Sequence, residues 1–345
     1  MVFHQSIKSI SSSLLAVIIL IALNSCSAIG KQPPEWTSGM FSPDGKYYVY
    51  TWSEFFVNQY SKRGNATFRS GSSTSYLQII DCNTGKKLLQ EPFKSKNLLT
   101  ISNIENNHVW LVSYNISKYW APALFNIDRL QMTYSAEDIM KMNPSVPMKM
   151  HVIQFYKNNS GKPGGIFEAV DGRQYLINPE TGKFSVITPS GERINEKDDD
   201  CYQITDRIEG INLGTGTRIK MIKGKVQSKD DFINPHFLAI DENELDRRAS
   251  PTIYKNNFFV LSPAFTSDKR EMQLSCIQHD NLDTKWIISL PQNENENNKY
   301  NKERFFLNGD QMLVANTSNV CKIDVQNGRI ITSYVLFETK DDKKN

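Results

Sequence analysis

The chain has 345 residues, of which 39% are hydrophobic and 22% are charged, so it is long and apolar enough to bury a core and is not expected to be disordered. Its formal net charge is +3. A balance so close to neutral argues neither for nucleic acid nor for an acidic substrate, and no nucleic-acid partner is predicted.

The first 25 residues have the layout of a cleaved export signal. Lys8 is followed by an uninterrupted apolar run over residues 14–23 and by small polar residues before Cys26. The apolar run is about half of the roughly 20 residues that a membrane-spanning helix needs. A signal peptide over residues 1–25 is therefore favoured over a permanent transmembrane anchor.

The residues around the cleavage site, Leu23-Asn24-Ser25-Cys26, resemble the bacterial lipobox. The resemblance implies cleavage before Cys26 and acyl chains on that cysteine, which would hold the protein on a membrane. Asn24 departs from the usual small or aliphatic choice, and an ordinary signal peptide with a chance cysteine is the alternative. By resemblance to the enterobacterial sorting rule, Ser27 implies the periplasmic face of the outer membrane, with the inner membrane left open.

One turn motif recurs after residues 26–39, which are rich in Pro, Gly and Ser and are interpreted as a lipidated tether. Its pattern is I-[DN]-x-x-[TN]-G-[KR]. Asp or Asn bonds back to the turn backbone, glycine supplies a positive φ, and a new strand follows at once. Runs with alternating apolar residues flank each copy. The copies lie at residues 80–86, 177–183 and 323–329.

The spacing of the copies corresponds to two and three units of roughly 48 residues, a length typical of propeller blades. Degenerate copies are predicted in the gaps, beginning at Ile127 and Ile277. Unrelated hairpins are the alternative. The last unit is the clearest, because it predicts the four antiparallel strands of one blade, at residues 304–307, 311–316, 320–325 and 329–336.

The turn resembles that of PQQ-like and WD40-like repeats, and residues 41–47 (FSPDGKY) resemble a turn of WD40-like periplasmic propellers. The resemblance implies an all-β fold, a single β-propeller of six or seven four-stranded blades over residues 40–338, followed by a charged tail over residues 339–345. A strand at residues 47–52 is expected to close the ring by completing a blade with the C-terminal strands.

A short helix is predicted over residues 135–142. Ser135 and Asp138 have the spacing of a capping box, and Asn143-Pro144 stops the helix. A group of bacterial propeller lipoproteins carries a similar helix between blades. No activity is implied by that similarity.

Residues that could carry chemistry are scattered along the chain. The acids at residues 198–200 lack the spacing of a calcium loop, and residues 214–217 (GTGT) lack the rest of a phosphate loop. No G-x-S-x-G nucleophile elbow occurs. Four histidines are too far apart for a metal site on one hairpin, although a ring could bring equivalent blade positions together. They are His108, His151, His236 and His279. We predict no catalytic residue, no metal and no cofactor.

Tyr119 and Trp120 are the candidate ligand-binding residues. They belong to residues 118–122 (KYWAP), which lie between two predicted strands and are interpreted as a loop. Most other aromatic residues are expected to pack between blades. Trp286 stands at an outer-strand position where the repeats often have a tryptophan.

Four cysteines follow Cys26, and none of them forms a CxxC pair. An exported protein can form disulfides, but the spacing determines no connectivity. Buried free thiols are favoured, and one bridge is left open. The four are Cys82, Cys201, Cys276 and Cys321.

The sequence favours a non-catalytic binding or scaffolding lipoprotein of the cell envelope, attached to the membrane through Cys26. Its partner would be an envelope protein, a peptide or a glycan, held at one mouth of the ring. The alternative is a periplasmic propeller enzyme, either a quinone-dependent dehydrogenase or a polysaccharide lyase. The tryptophan-docking repeats and calcium-binding acids that mark the quinone enzymes are not recognisable in the sequence.

Overall fold

The structure is a computed structural model, and Cys26 and the predicted signal peptide lie outside the residues that it describes. Within the described part of the chain, no helix has the length and apolar character needed to cross a membrane. The described residues are 30–32, 34–63, 66–105, 107–115, 119–146, 155–156, 165–169, 172–187, 202–205, 209–212, 218–222, 225–227, 236–237, 239–243, 248–251, 253–265, 270–281, 283–291, 304–316 and 318–337.

The described residues form an all-β fold, as predicted, with six antiparallel sheets and one short helix. The chain divides into two compact units. The first comprises residues 1–38, 49–79 and 87–187, and the second comprises residues 39–48, 80–86 and 188–345.

The first sheet has the order β1-β3-β4-β5, and β2 also pairs with β3. Its strands β1 and β2 begin inside the segment that was predicted to be a tether over residues 26–39. From Gly30 onward that segment instead covers an edge of β3, where backbone groups would otherwise lack partners. The strands are β1 (Gly30–Lys31), β2 (Glu35–Phe41), β3 (Tyr47–Arg63), β4 (Ala66–Asp81) and β5 (Phe93–Ser95).

Two four-stranded sheets complete the first unit, with the orders β6-β7-β8-β9 and β10-β11-β12-β13. The predicted helix, α1 (Ala136–Met142), lies between them in the chain, with Ser135 and Asp138 forming the predicted capping box. The strands are β6 (Leu98–Glu105), β7 (His108–Asn115), β8 (Tyr119–Asn126), β9 (Gln131–Tyr134), β10 (Phe155–Tyr156), β11 (Gly165–Glu168), β12 (Gln174–Ile177) and β13 (Phe184–Ile187).

The second unit contains a six-stranded sheet and two four-stranded sheets, with the orders β17-β16-β15-β14-β20-β19, β18-β21-β22-β23 and β24-β25-β26-β27. The strands of the first of these are β14 (Tyr202–Thr205), β15 (Glu209–Asn212), β16 (Arg218–Ile222), β17 (Lys225–Gln227), β19 (Ala239–Asn243) and β20 (Arg248–Pro251). The others are β18 (His236–Phe237), β21 (Asn257–Phe265), β22 (Arg270–Gln278), β23 (Thr284–Ser289), β24 (Arg304–Asn308), β25 (Gln311–Ala315), β26 (Asn319–Asp324) and β27 (Ile330–Val335).

The last sheet confirms the four strands predicted for the final repeat, with each end within one residue of the prediction. The predicted closure by residues 47–52 is wrong. These residues belong to β3, whose partners are β1, β2 and β4, whereas the last sheet is complete with β24 to β27.

The repeat turns have the predicted geometry. The carboxylate of Asp81 accepts hydrogen bonds from the backbone N–H groups of residues 83 and 84, at 2.8 and 3.1 Å, and Asn178 accepts from residues 180 and 181 at the same distances. The glycines all have positive φ, which suits a residue without a side chain. They are Gly85 at 71°, Gly182 at 64° and Gly328 at 75°.

The degenerate copy predicted at Ile127 is displaced by two residues. Strand β8 ends at Asn126, whose side chain accepts from the N–H of Arg129 at 2.8 Å. Leu130 takes the position of the glycine, with a φ of 52°. A non-glycine residue in this conformation costs about 1–2 kcal/mol, which the pairing of β8 with β9 must offset.

Aromatic side chains of outer strands contact the turns of other sheets. In the first unit, the Tyr134 hydroxyl donates to the carbonyl of Glu180. In the second unit, Nε1 of Trp286 donates to the carbonyl of Val325 at 2.9 Å, and the Tyr334 hydroxyl donates to the carbonyl of Asn83 at 3.4 Å. Trp286 was predicted to stand at this outer-strand position, whereas Tyr134 and Tyr334 were not, because they have tyrosine where the repeats often have tryptophan.

Each docked ring also lies against the glycine of the turn that it contacts. An added Cβ would lie 3.4 Å from Tyr134 at Gly182 and 2.7 Å from Trp286 at Gly328. At Gly85 it would overlap the Tyr334 ring. At Gly85 and Gly328 the glycine is therefore required twice, for its backbone conformation and for the close approach of the ring. At Gly182 the distance to Tyr134 is an ordinary van der Waals contact, and the close neighbour of the added Cβ is the methyl group of Met142, at 2.5 Å.

Candidate functional site

A polar pocket of about 230 Å³ in the second unit is the candidate functional site. It lies between turns of the first sheet and the strands of the last sheet. Two lysines and one carboxylate are among its lining residues, which are Asp44, Gly45, Lys46, Cys82, Asn83, Phe306, Asn308, Gln311, Leu313 and Lys322.

The turn between β2 and β3 builds one wall of the pocket. Ser42 Oγ donates to Asp44 Oδ1 at 2.5 Å and accepts from the backbone N–H of Tyr47 at 2.9 Å. Gly45 has a φ of 68°, and an added Cβ there would overlap the ring of Phe306. The local sequence thus shapes the turn, and the contact with Phe306 places it against the last sheet.

The same backbone hydrogen bond joins the two turns at this end of the first sheet and of three other sheets. In each case the N–H of the residue directly after one strand donates to the carbonyl of the residue directly before the preceding strand in the chain. The pairs are Cys82 to Lys46 at 2.8 Å, Ile127 to Asn107 at 2.8 Å, His279 to Asn256 at 2.9 Å and Val325 to Asp310 at 2.9 Å.

The charges of the pocket favour binding of an anionic group. The hydrogen bond from Ser42 holds the pKa of Asp44 below its usual value, so this carboxylate is ionised and already has a donor. The Tyr47 side chain raises the pKa of Lys46, whose ammonium group lies 4.8 Å from the centre of the Tyr47 ring. With Lys322, the described lining residues of the pocket include two cations and one partnered anion.

The Cys82 thiol is not a nucleophile at neutral pH. Burial, followed by the charges of Asp81 and Asp44, raises its pKa to about 12. None of the lining residues that the structure describes is a histidine. Within the described residues, no three His, Cys, Asp or Glu side chains lie close enough to hold a metal ion together. The arrangement is suited to hydrogen bonding and charge pairing.

The thiols that the structure describes are buried and free, at Cys82, Cys276 and Cys321, and Cys201 lies outside the described residues. Because burial raises the pKa of Cys82 to about 12 and that of Cys276 to about 11, we expect very slow alkylation of both in the native protein at pH 8. The thiolate fraction should rise about tenfold per pH unit up to those values, and the rate should rise with it.

Iodoacetamide labelling followed by peptide mapping measures this reactivity, with protein unfolded in guanidinium as the control. An ordinary thiol with a pKa of about 8.5 is roughly one quarter thiolate at pH 8. Native modification of Cys82 at the rate of such a thiol would contradict the burial described here.

A second pocket of about 230 Å³ lies in the first unit, beside the start of α1. Its acidic side chains already have partners. Asp138 accepts from the backbone N–H of Ser135 at 3.0 Å, and Asn97 donates to Glu137 at 3.4 Å. These contacts stabilise the helix start and the loop after β5, so this pocket is a weaker candidate.

Tyr119 and Trp120 lie at the start of β8, so the prediction that they belong to a loop is wrong. They pair with Asn115 and Tyr114 of β7. The Trp120 ring is half-buried, lies 4.3 Å from the Tyr114 ring and packs against the core of the first unit. The side chain of Tyr119 is outside the described part of the chain. Their role in ligand binding stays a prediction.

The histidines occupy different environments where they are described. His108 lies 3.3 Å from the side-chain amide of Asn126, and His279 lies 3.8 Å from Asp280. His151, the side chain of His236, and residues 198–200 and 214–217 lie outside the described residues.

Lys322 and Phe306 of the pocket were not predicted from the sequence, because only the tertiary structure brings them to the turn at residues 42–46.

No family model and no curated protein sequence matches the chain. Among solved structures, the chain is similar to the AtxE2 isopeptidase in its apo form, at a TM-score of 0.46 and 11% identity over 88% of this chain and 52% of that protein. TolB from Acinetobacter baumannii has a TM-score of 0.29 and 14% identity over 76% and 55% of the two chains. BamB from Moraxella catarrhalis has a TM-score of 0.23 and 13% identity over 87% and 76%.

The chain thus spans about half the length of the isopeptidase and of TolB. All three TM-scores are below 0.5.

Proposed function

We propose that residues 40–338 form a single six-bladed β-propeller that acts as a non-catalytic binding module and is held in the cell envelope by lipid on Cys26. Each of the six sheets contains a row of four antiparallel strands, which is the composition of a blade. Six such rows favour the lower of the two predicted blade numbers.

The observation that carries the proposal is the contact between the last strand and the first sheet. Tyr134 of β9 docks on the repeat turn between β12 and β13, and Trp286 of β23 docks on the repeat turn between β26 and β27. In both cases the turn belongs to the sheet that follows in the chain. Tyr334 of β27 docks in the same way on the turn that follows β4. A row of sheets whose last member docks on its first in this manner supports a closed ring, since propellers are built by radial repetition.

The pocket beside Lys46 and Lys322 is the proposed binding site. Its volume of about 230 Å³ is below the range of about 300–1,000 Å³ typical of small-molecule sites. A single side chain fits this space better than a quinone cofactor or a sugar chain. Because its two cations outnumber its one partnered carboxylate, we propose an acidic side chain or terminal carboxylate of an envelope protein as the group bound.

A photo-crosslinking residue at Asn308, which lines the pocket, tests this site in living cells. We expect one discrete protein adduct, and we expect Lys46→Gln with Lys322→Gln to lower its yield severalfold, because the two cations that would pair with the acidic group are removed. The matched control removes two other exposed charges of the second unit, with Lys86→Gln and Lys285→Gln. An adduct that persists in the double pocket variant, or that forms equally from Asn281, would exclude this pocket as the site.

A further inference from the structure

We infer that the pocket binds the last residue of a polypeptide chain and that this residue is aromatic, an inference that rests on the proposed binding function of the pocket. Within the second unit, the last sheet has two interfaces at its turns. One, with the sheet β18-β21-β22-β23, is here called the filled interface. The other, with the turns at residues 44–46 and 82–83, holds the pocket and is called the pocket interface.

The turn residues that follow each interface in the same way are Asp310 and Lys46. Each lies directly before a strand, and its backbone carbonyl accepts from the N–H of the residue directly after the next strand. The donors are residue 325 for Asp310, at 2.9 Å, and residue 82 for Lys46, at 2.8 Å. Asp310 in the filled interface therefore corresponds to Lys46 in the pocket interface.

The turns on the other side of each interface also correspond. Each has two residues between a pair of partners, at 254 and 257 in one turn and at 308 and 311 in the other. The first turn residue has a positive φ in both, 48° at Lys255 and 57° at Gly309. Counting along the strands that follow gives the corresponding residues, which are Tyr254 and Asn308, Lys255 and Gly309, and Phe259 and Leu313.

An ion pair and a ring occupy the filled interface. Lys255 Nζ lies 2.7 Å from Asp310 Oδ1, and the Tyr254 hydroxyl donates to the same oxygen at 3.3 Å. The side-chain amide of Gln326 donates to the other carboxylate oxygen at 3.1 Å. Phe259 is buried in the core of the second unit. The Asp310 carboxylate thus has an ammonium, a hydroxyl and an amide donor beside a buried ring.

The pocket interface has smaller side chains at the corresponding positions. Asn308 and Leu313, which line the pocket, stand where the filled interface has aromatic rings. Gly309 has no side chain, and an added Cβ there would meet no atom within 4 Å. The space that these residues leave is the pocket of about 230 Å³.

The charge of the pocket interface is reversed. Lys46 brings an ammonium group to the position where Asp310 brings a carboxylate. Lys322, paired with Leu313, lines the same pocket, and its ammonium group has no hydrogen bond or ion pair among the described residues. Asn83 and Asn308 add amide donors. A carboxylate in the pocket would therefore have ammonium and amide donors, as Asp310 has in the filled interface.

A ligand that completes the pocket interface supplies both a carboxylate and a ring. The volume of the pocket admits one residue. Aspartate and glutamate side chains have a carboxylate without a ring, and aromatic side chains have a ring without a carboxylate. An aromatic residue at the C-terminus of a polypeptide carries both groups. The residue bound is therefore a chain-terminal phenylalanine, tyrosine or tryptophan.

Fluorescence anisotropy with the full mature chain in detergent measures this preference. The probe is a labelled glycine-serine peptide that ends in phenylalanine with a free carboxylate. Amidation of the carboxylate should weaken binding severalfold, because its ion pairs are lost. Replacement of the phenylalanine by alanine should weaken binding about tenfold or more, since that is the typical gain from burying such a side chain. Equal binding of either altered peptide would overturn the inference.

Leu313→Phe places a ring where β21 has Phe259 and should fill the pocket. We expect it to abolish binding of the probe while the thermal midpoint stays at or above that of the wild type, because the filled interface accommodates a ring at this position. Ile331→Phe is the matched control, since Ile331 is exposed on β27 of the same sheet and does not line the pocket. Probe binding by Leu313→Phe at the level of this control would contradict the inference.

Gly309→Lys with Lys46→Asp rebuilds the ion pair of the filled interface, and it is informative even if Leu313→Phe fails to fold. Lysine accepts the required backbone conformation in the corresponding turn, at Lys255. The double variant should lose the preference for the free carboxylate over the amide. Gly309→Lys alone adds a cation and should strengthen that preference. A double variant that prefers the free carboxylate as strongly as the wild type would reject the inference.

The outcomes separate this inference from the proposed function. An amidated peptide with an internal aspartate that binds as tightly as the probe would keep an acid-binding pocket and reject the chain-terminal residue. An adduct from Asn308 that depends on Lys46 and Lys322, without binding of the probe, would have the same meaning. Binding of the probe with no adduct in cells would keep the preference for a chain-terminal aromatic residue and reject an envelope protein as the partner.

Discussion

Gly328→Ala is expected to lower the free energy of unfolding of the second unit by about 3 kcal/mol. The backbone at Gly328 has a φ of 75°, a conformation that costs other residues about 1–2 kcal/mol. The added methyl group would also lie 2.7 Å from the Trp286 ring, and overpacking of this kind costs about 1–3 kcal/mol. Denaturant unfolding followed by circular dichroism measures the change.

Gly309→Ala is the matched control, because Gly309 lies in the same sheet and has a φ of 57° but no atom within 4 Å of an added Cβ. We expect it to cost only the backbone part, about 1–2 kcal/mol. In a Trp286→Leu background, Gly328→Ala should cost little more than Gly309→Ala. Equal effects of the two alanine substitutions in the wild-type background would show that the docked ring does not constrain the turn.

Cys26→Ser is expected to move nearly all of the protein from the membrane fraction to the soluble periplasmic fraction. Each methylene of a buried acyl chain contributes about 0.8 kcal/mol to membrane binding, and several chains together anchor a protein stably. Electrostatic contacts that remain without the lipid are screened by salt, so high salt should release whatever protein remains bound. Fractionation in low and high salt, with intact mass spectrometry of the mature chain, measures both effects.

The fold should be unchanged by this substitution, because the first described strand begins at Gly30. The circular dichroism spectrum and the thermal midpoint should therefore match those of the wild-type protein. Salt-resistant retention of Cys26→Ser in membranes would show that something other than lipid on this residue holds the protein there.

Local interactions explain which sequence predictions were confirmed. The capping box at Ser135 and Asp138 is complete within four residues, and each repeat turn is complete within seven. The strands of the last sheet were predicted to within one residue because polar turns separate them sharply. Such features depend on few contacts distant in sequence, so the residue pattern alone specifies them.

The loop predicted for residues 118–122 failed for a reason that lies outside the segment. Pro122 suggests a loop, since it has no N–H to donate to a ladder. In the structure it pairs with Val112 of β7, while β9 pairs only with residues 124–126 of β8. The shortness of β9 leaves that side of Pro122 without a β9 partner, and nothing near Pro122 in the sequence indicates this.

The sequence by itself determined the all-β class, the glycine turns and the one short helix, because these follow from alternation, turn chemistry and capping over a few residues. Only the tertiary structure decided that Tyr334 reaches the turn at Asn83, that Lys322 faces the turn at Lys46, and that residues 30–31 lie along β3. Each of those contacts joins distant parts of the chain, and its free energy depends on packing and strand register that no short segment contains.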